Sequence, residues 1–472
     1  MTVRSGLRNL DRVTTGVDSL DDILEGGIPQ YSIVFVAGLP GTGKTILCEQ
    51  ALFANARHGT CLYMSTLSEP VMKMLRFGQR FEFFDSTALG HDVIYSDLGA
   101  SIRRGGADGF LAELERLVQE HRPSFIVIDS FKVLREEFDE DRAFRKFAAD
   151  LMAMLSTWEV TSFLVGEYSE RDIRERPEFA IADGIIHLYG TEESLRQKRY
   201  LRIMKMRGTS VFSGEHYFDI STNGVTVYPR MNPEVVGEYA IPEGRIGSAV
   251  IGLADMMSGG VERSTVTIIT GRTGSGKTIV ALSMLVSAAR AGLPALLLTL
   301  EESPAQISRN FRSFGWEVDS LREHGLLDVL HVSPSEVDLD AHAVLLKERA
   351  ERIQAKVVVI DSITSFQAAV PDEQKYTGYL WAIADYFKRS GVAVLMTNEL
   401  TSGDSFVERK VSFVADNIVS LAFSQRGAER IRTVSVLKTR GSPHENVARE
   451  LLIAQDKVSV GEPVTLNGSY VG

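Results

Sequence analysis

The 472-residue chain reads as an α/β protein of two tandem domains, each a mainly parallel twisted sheet flanked by helices. Three repeated features predict this. The P-loop signature Gly-x-x-x-x-Gly-Lys-Thr stands at 38–45 and again, 233 residues later, at 271–278. An apolar run ending in Asp-Ser, Ile126-Val127-Ile128-Asp129-Ser130, recurs as Val358-Val359-Ile360-Asp361-Ser362. Lys-x-Arg-Gly at 205–208 recurs, again 233 residues later, at 438–441. A looser match relates 16–22 to 251–257. Landmarks in one order at nearly one spacing imply that a whole domain was duplicated.

The length suits two cores of about 230 residues better than one. Residues 229–245 carry Pro229, Pro233, Gly237, Pro242 and Gly244, which resist helix and strand continuation. We expect domains at 1–235 and 236–472. In the first domain, short β-rich runs at 32–37, 60–64, 125–128 and 162–165 predict strands. Their counterparts in the second are 265–270, 295–298, 356–360 and 393–396, with a last run near 458–460. Unbroken apolar runs of this kind belong to parallel strands buried on both faces. Helical periodicity falls between them, as at 111–118 and 343–353.

Composition narrows the function. Hydrophobic residues make up 44% and charged residues 24%, as in globular proteins. The N-terminal stretch has no apolar signal core, and no run approaches the ~18 apolar residues of a membrane span. The two cysteines, Cys48 and Cys61, read as ordinary helix and strand residues of a reduced compartment. These features predict a cytoplasmic protein with no membrane partner. The net charge of −11 and the lack of a long Lys/Arg run argue against a nucleic-acid partner, and the cluster Arg196-Gln197-Lys198-Arg199 reads as a solvated face.

Each P-loop predicts an ATP site. Its glycines, Gly38, Gly41 and Gly43 or Gly271, Gly274 and Gly276, let backbone N–H groups converge on phosphate oxygens, with Thr42 and Ser275 in the same loops. Lys44 and Lys277 reach the β- and γ-phosphates. Thr45 and Thr278 offer a hydroxyl to Mg²⁺, and Asp129 and Asp361, at strand ends, complete the metal site. In Thr299-Leu300-Glu301-Glu302-Ser303-Pro304, two carboxylates follow a strand and face the nucleotide crevice. Glu301 is the general-base candidate and Glu302 its neighbour. Aligned with this, Thr66-Leu67-Ser68-Glu69-Pro70 has Ser68 in place of Glu301 and keeps Glu69. The first site is therefore expected to bind ATP and hydrolyse it slowly unless Glu69 substitutes. Lys205 with Arg207, and Lys438 with Arg440, lie far along the chain from their own P-loops and suit an arginine-finger role on a neighbouring subunit.

Together these motifs, with Arg-Gly-Thr-Ser at 207–210 and Asp-Ser-Ile-Thr-Ser at 361–365, resemble the KaiC family of double-domain RecA-like ATPases over nearly the whole chain. The resemblance implies a homohexameric double ring with ATP between subunits, a closed heterologous assembly. It also implies polar sensors of the γ-phosphate at Glu167 and Asn398. In circadian members the second ring autophosphorylates a Ser-Thr pair. Here the aligned positions are Ser412 and Phe413, so a two-site phosphorylation cycle is not expected and a single serine autokinase site at Ser412 is the remaining reading. The tail after the last strand run is short, which places the chain outside the full clock system, with its signalling partner unknown. Two other readings compete with an ATP-hydrolysing regulator. One is a RecA-like DNA motor or recombinase, disfavoured by the charge. The other is an ATP-assembled scaffold, favoured by Ser68 for the first ring.

Overall fold

The computed structural model describes residues 11–66, 71–193, 196–231, 241–333, 338–370, 372–400, 413–455 and 457–464. The chain divides into two compact units, Met1–Arg230 and Met231–Gly472. Each is built on a nine-stranded sheet.

In the first unit the strands are β1 (Ile33–Gly38), β2 (Cys61–Ser65), β3 (Val93–Asp97), β4 (Phe125–Asp129), β5 (Thr161–Glu167), β6 (Gly184–Glu193), β7 (Arg196–Met206), β8 (His216–Ser221) and β9 (Gly224–Tyr228). Their order across the sheet is β3-β2-β4-β5-β1-β6-β7-β8-β9. From β3 to β6 in this order the strands run parallel, and β7, β8 and β9 continue the sheet as antiparallel hairpins.

The second unit repeats the plan with β10 (Val266–Gly271), β11 (Ala295–Thr299), β12 (Leu327–His331), β13 (Val357–Asp361), β14 (Ala393–Glu399), β15 (Asn417–Arg426), β16 (Glu429–Thr439), β17 (Arg449–Ala454) and β18 (Lys457–Pro463). Their order, β12-β11-β13-β14-β10-β15-β16-β17-β18, is that of the first sheet strand for strand. The tandem RecA-like α/β architecture expected from the repeats is thus present in both halves.

The central strands are buried on both faces, which explains their unbroken apolar composition. Along β13, Val357 and Val359 enter one core while Val358 and Ile360 enter the other, because successive side chains alternate sides. Along β4, Val127 and its neighbours Ile126 and Ile128 divide in the same way. Helix α1 (Lys44–Asn55) follows the first P-loop and covers one face of its sheet; α2 (Lys277–Arg290) does so after the second. Cys48 on α1 and Cys61 on β2 are both buried with free thiols, as ordinary core residues. Among the described residues no helix is long and apolar enough to cross a membrane.

Candidate nucleotide sites of the two domains

Each P-loop joins the C-terminal end of the central parallel strand to the helix behind it. The turn requires glycine for two separate reasons. A Cβ on Gly38 would lie 2.1 Å from the Leu188 carbonyl oxygen, and one on Gly271 would lie 2.4 Å from that of Leu421. Gly43 and Gly276 cap their helices at φ 94° and 105°, a left-handed conformation that only glycine adopts freely. The backbone N–H groups at that cap point outward from a helix N-terminus, an arrangement suited to phosphate. Gly41 and Gly274 also have positive φ. Thr42 Oγ1 donates to Leu39 O at 2.8 Å, which braces the loop, and Ser275 is fully buried in the same position.

The lysines lie along the loops. Lys44 Nζ donates to Leu39 O at 2.9 Å and Lys277 Nζ to Arg272 O at 3.2 Å. Burial pulls the Lys44 ammonium below its ordinary value, while Glu167 and Asp129 pull it back up. Burial does the same to Lys277, opposed by Glu399, Asp361 and Glu301.

Thr45 Oγ1 donates to Asp129 Oδ2 at 3.1 Å, and Thr278 is hydrogen-bonded to Asp361. A hydroxyl and a carboxylate therefore meet beside each P-loop. Burial pushes the Asp361 carboxyl above its usual range, and hydrogen bonds from Thr397 and Thr278 counter it. Among the described residues no group of three or more His, Cys, Asp or Glu side chains forms a metal cage. One hydroxyl, one carboxylate and a phosphate cradle are the donor set of a nucleotide-borne Mg²⁺, an ion that takes few protein ligands and shares substrate phosphates. The residues fit that ion.

The second domain holds a cavity of about 390 Å³ lined by Thr273, Gly274, Gly276, Lys277, Thr278, Glu301, Glu302, Asp361, Ser362 and Glu399 on its polar side. Ile279, Leu282, Phe311, Phe314, Trp316 and Ile453 form an apolar wall. Glu301 Oε1 accepts hydrogen bonds from Ser362 Oγ at 3.0 Å and Ser365 Oγ at 2.9 Å. Glu302 is held differently: Asn310 Nδ2 donates to both its oxygens, at 3.1 and 2.9 Å.

Strand register corrects one pairing between the domains. Ser65 lies opposite Asp129, and Thr299 lies opposite Asp361. One residue on, Thr66 N–H donates to Asp129 O as Leu300 N–H does to Asp361 O. Ser65 therefore corresponds to Thr299, and counting on without a gap sets Leu67 against Glu301 and Ser68 against Glu302. Glu69 then matches Ser303. The expected alignment of Ser68 with Glu301 placed a gap where the ladder has none. Ser68 and Glu69 themselves lie outside the described residues.

Register also relates the strand ends of the two domains. Gly38 pairs with Glu167 and Gly271 pairs with Glu399. The counterpart of Glu167 is thus Glu399, and that of Asn398 is Gly166. Asn398 is buried; its amide donates to Thr270 Oγ1 at 3.3 Å and its Oδ1 accepts from Thr364 Oγ1 at 3.3 Å. Glu399 faces the cavity and is hydrogen-bonded to Thr273 of the P-loop. A carboxylate one residue past the strand core carries no motif, so sequence reading passed over it.

Another feature without a motif supports the metal-site aspartates. Tyr63 OH donates to Asp129 Oδ2 at 2.6 Å. The register sets Leu297 against Tyr63 and Val165 against Thr397. Thr397 Oγ1 donates to Asp361 in the second domain. A hydroxyl thus reaches the aspartate in both sites, from the strand on one side in the first domain and on the other side in the second.

The Lys-x-Arg pairs sit at the far end of each sheet. Lys205 and Lys438 lie opposite Ile185 and Ile418, just before a register shift in β6–β7 and β15–β16. Lys205 Nζ donates to Ala180 O and Lys438 Nζ to Ala415 O, at 2.8 and 2.7 Å. Arg207 and Arg440 follow one residue after their strands and bind Asp183 and Asp416 at 3.2 and 3.4 Å. Those aspartates also accept the N–H of Ile33 and Val266, the first residues of β1 and β10. Each P-loop begins five residues further on, about 16 Å away. Neither pair is brought to its own P-loop. The arginine side chains remain 59% and 62% exposed. Ser412 lies outside the described residues, and its neighbour Phe413 is 44% exposed.

Fold and site together define a tandem P-loop protein of RecA-like architecture. The family model "ATPase: KaiC" matches the chain twice, at residues 13–232 and 246–465. The chain belongs to that ATPase family. It is 26% identical to the circadian clock oscillator protein KaiC 1 of Synechocystis sp. over 95% of this chain and 89% of that protein. The KaiC of Picosynechococcus sp. is 26% identical over 96% and 90%, and that of Rippkaea orientalis 27% over 94% and 87%.

Proposed function

We propose that the second domain is the hydrolytic site of a KaiC-type ATPase and that the first domain binds ATP with little turnover. What supports this most directly is the cavity that gathers Lys277, Thr278, Asp361, Glu301 and Glu302 around one P-loop. Lys277 and the loop amides bind the β- and γ-phosphates, and Glu301 takes the proton of the attacking water. Ser362 and Ser365 donate to the same oxygen of Glu301 and so fix the direction of its other one. Glu302, tied to Asn310, orients the site without acting as the base. When bound, Mg²⁺ neutralises charge on the phosphates. The decisive experiment is steady-state phosphate release by Glu301→Gln. Turnover that survives this substitution would move the active site to the first domain.

The assembly we propose is a homohexameric double ring, with Lys205/Arg207 and Lys438/Arg440 completing the neighbour's site. The exposure of the two arginines, and the distance of each pair from its own P-loop, support action in trans. The relatives are named as clock oscillators; for this chain we propose a regulatory output to a signalling partner. Phe413 removes the second acceptor hydroxyl, so autophosphorylation is confined to Ser412. Intact mass after incubation with Mg·ATP should rise by one phosphate at most. A second phosphate, or a phosphate mapped to a residue other than Ser412, would refute this.

A further inference from the structure

The residue three places after the metal-site aspartate differs sharply between the domains. In the second it is Thr364, whose Oγ1 accepts the Glu399 N–H at 2.8 Å and donates to Asn398. In the first it is Lys132, on the turn Phe131–Glu137.

The surroundings have changed to suit the lysine. Gly166 replaces Asn398, and a Cβ on it would lie 2.3 Å from the ring of Tyr168. That ring therefore lies against the strand at the Gly166 position. It is 1% exposed and wedged edge-on against Phe35 and Phe179, at 6.3 and 5.0 Å. Lys132 Nζ lies over it, 5.8 Å from its centroid. An aromatic face supports an ammonium group electrostatically and fixes where it can go. Burial is the main influence on the Lys44 ammonium, and the charge of Lys132 adds weakly to it in the same direction. Two cations that sense one another across a site suit an anion shared between them. Relative to the second site, the first has Leu67 and Ser68 for two glutamates and a lysine for a threonine. Each of these changes removes a negative charge or adds a positive one.

We propose that Lys132 is a phosphate ligand that makes the first domain a retention site, selective for a nucleoside triphosphate over the diphosphate. This rests on the reading that the first P-loop binds nucleotide. Lys44 serves the β- and γ-phosphates in either case; Lys132, in the sequence-equivalent place of Thr364 and over Tyr168 beside the strand end that carries Glu167, is assigned to the terminal one.

The test uses the full chain carrying Lys277→Ala, so that only the first P-loop is loaded, and equilibrium dialysis with labelled ATP and ADP in Mg²⁺. Adding Lys132→Met should weaken ATP about tenfold, the scale of one charge-assisted contact, and leave ADP within about twofold. Lys132→Thr, which installs the residue of the second domain, should do the same. Retained ADP binding reports that the domain is folded. ATP affinity unchanged in both variants, or ATP and ADP lost alike in both, would overturn the role of Lys132. A Lys277→Ala parent that binds neither nucleotide would instead sink the nucleotide reading of the first domain, and this role with it.

Discussion

The two nucleotide sites are built on one scaffold and carry different side chains. Strand order, register, loop glycines, the P-loop lysine, the threonine after it and the strand-end aspartate are the same in both. The second site adds Glu301 and Glu302 with their Ser365 and Asn310 supports. The first has Leu67 and Ser68 at the matching positions of the sequence, and an aromatic-backed Lys132. On the proposed reading, backbone geometry fixes where phosphates bind, and a few side chains on adjoining strand ends decide whether the terminal one is kept or cleaved. Binding and turnover can therefore diverge within one duplicated fold without disturbing its packing.

Four experiments break or sharpen this contrast. Lys438→Ala with Arg440→Ala should lower turnover about a thousandfold, the scale of an arginine finger, while the nucleotide affinity of the isolated chain stays near that of the parent. Loss of affinity in the monomer as well would place the pair in its own site. Glu301→Gln should slow phosphate release about a hundredfold. An equal effect from Glu302→Gln would erase the distinction between base and positioning residue.

The aspartate supports come next. Tyr63→Phe and Thr397→Val should each destabilise their own domain by about 2 kcal/mol, the cost of a hydrogen bond to a charged group. Denaturant unfolding followed separately for the two domains would read this, and an effect of Tyr63→Phe on the second domain would contradict the assignment. The smallest change expected is a gain. Leu67→Glu with Ser68→Glu, placed in a chain already silenced by Glu301→Gln, should restore turnover by no more than about tenfold, because Ser130 matches Ser362 but the Ser365 and Asn310 supports are not transferred. Full recovery would mean that the two carboxylates alone separate the sites.

Much of this was legible in the sequence. The P-loops, Asp129 and Asp361, the central strands and the Lys-x-Arg pairs are repeated words, and their spacing alone locates them. The failures have one physical origin. Matching Thr66-Leu67 to Thr299-Leu300 is the better match by letter, yet the hydrogen-bond ladder aligns Thr66 with Leu300. Only pairing across strands fixes register at that level. Glu399 and Tyr63 were invisible for a related reason. Their roles depend on which neighbouring strand lies alongside and which face each side chain takes, and a linear pattern of residues holds neither.

Asp183 and Asp416 tie each Lys-x-Arg pair to the start of the central strand, some five residues of sheet from the loop that strand feeds. In a ring closed head to tail, a chain lacking the pair would keep its own pocket intact and disable the one next door. Two alleles in one cell would then not behave as half a dose. A Lys438 or Arg440 variant should act as a dominant poison, and co-expression with a chain defective only in Glu301 should restore some activity, because in that mixture one intact pocket can meet one intact pair.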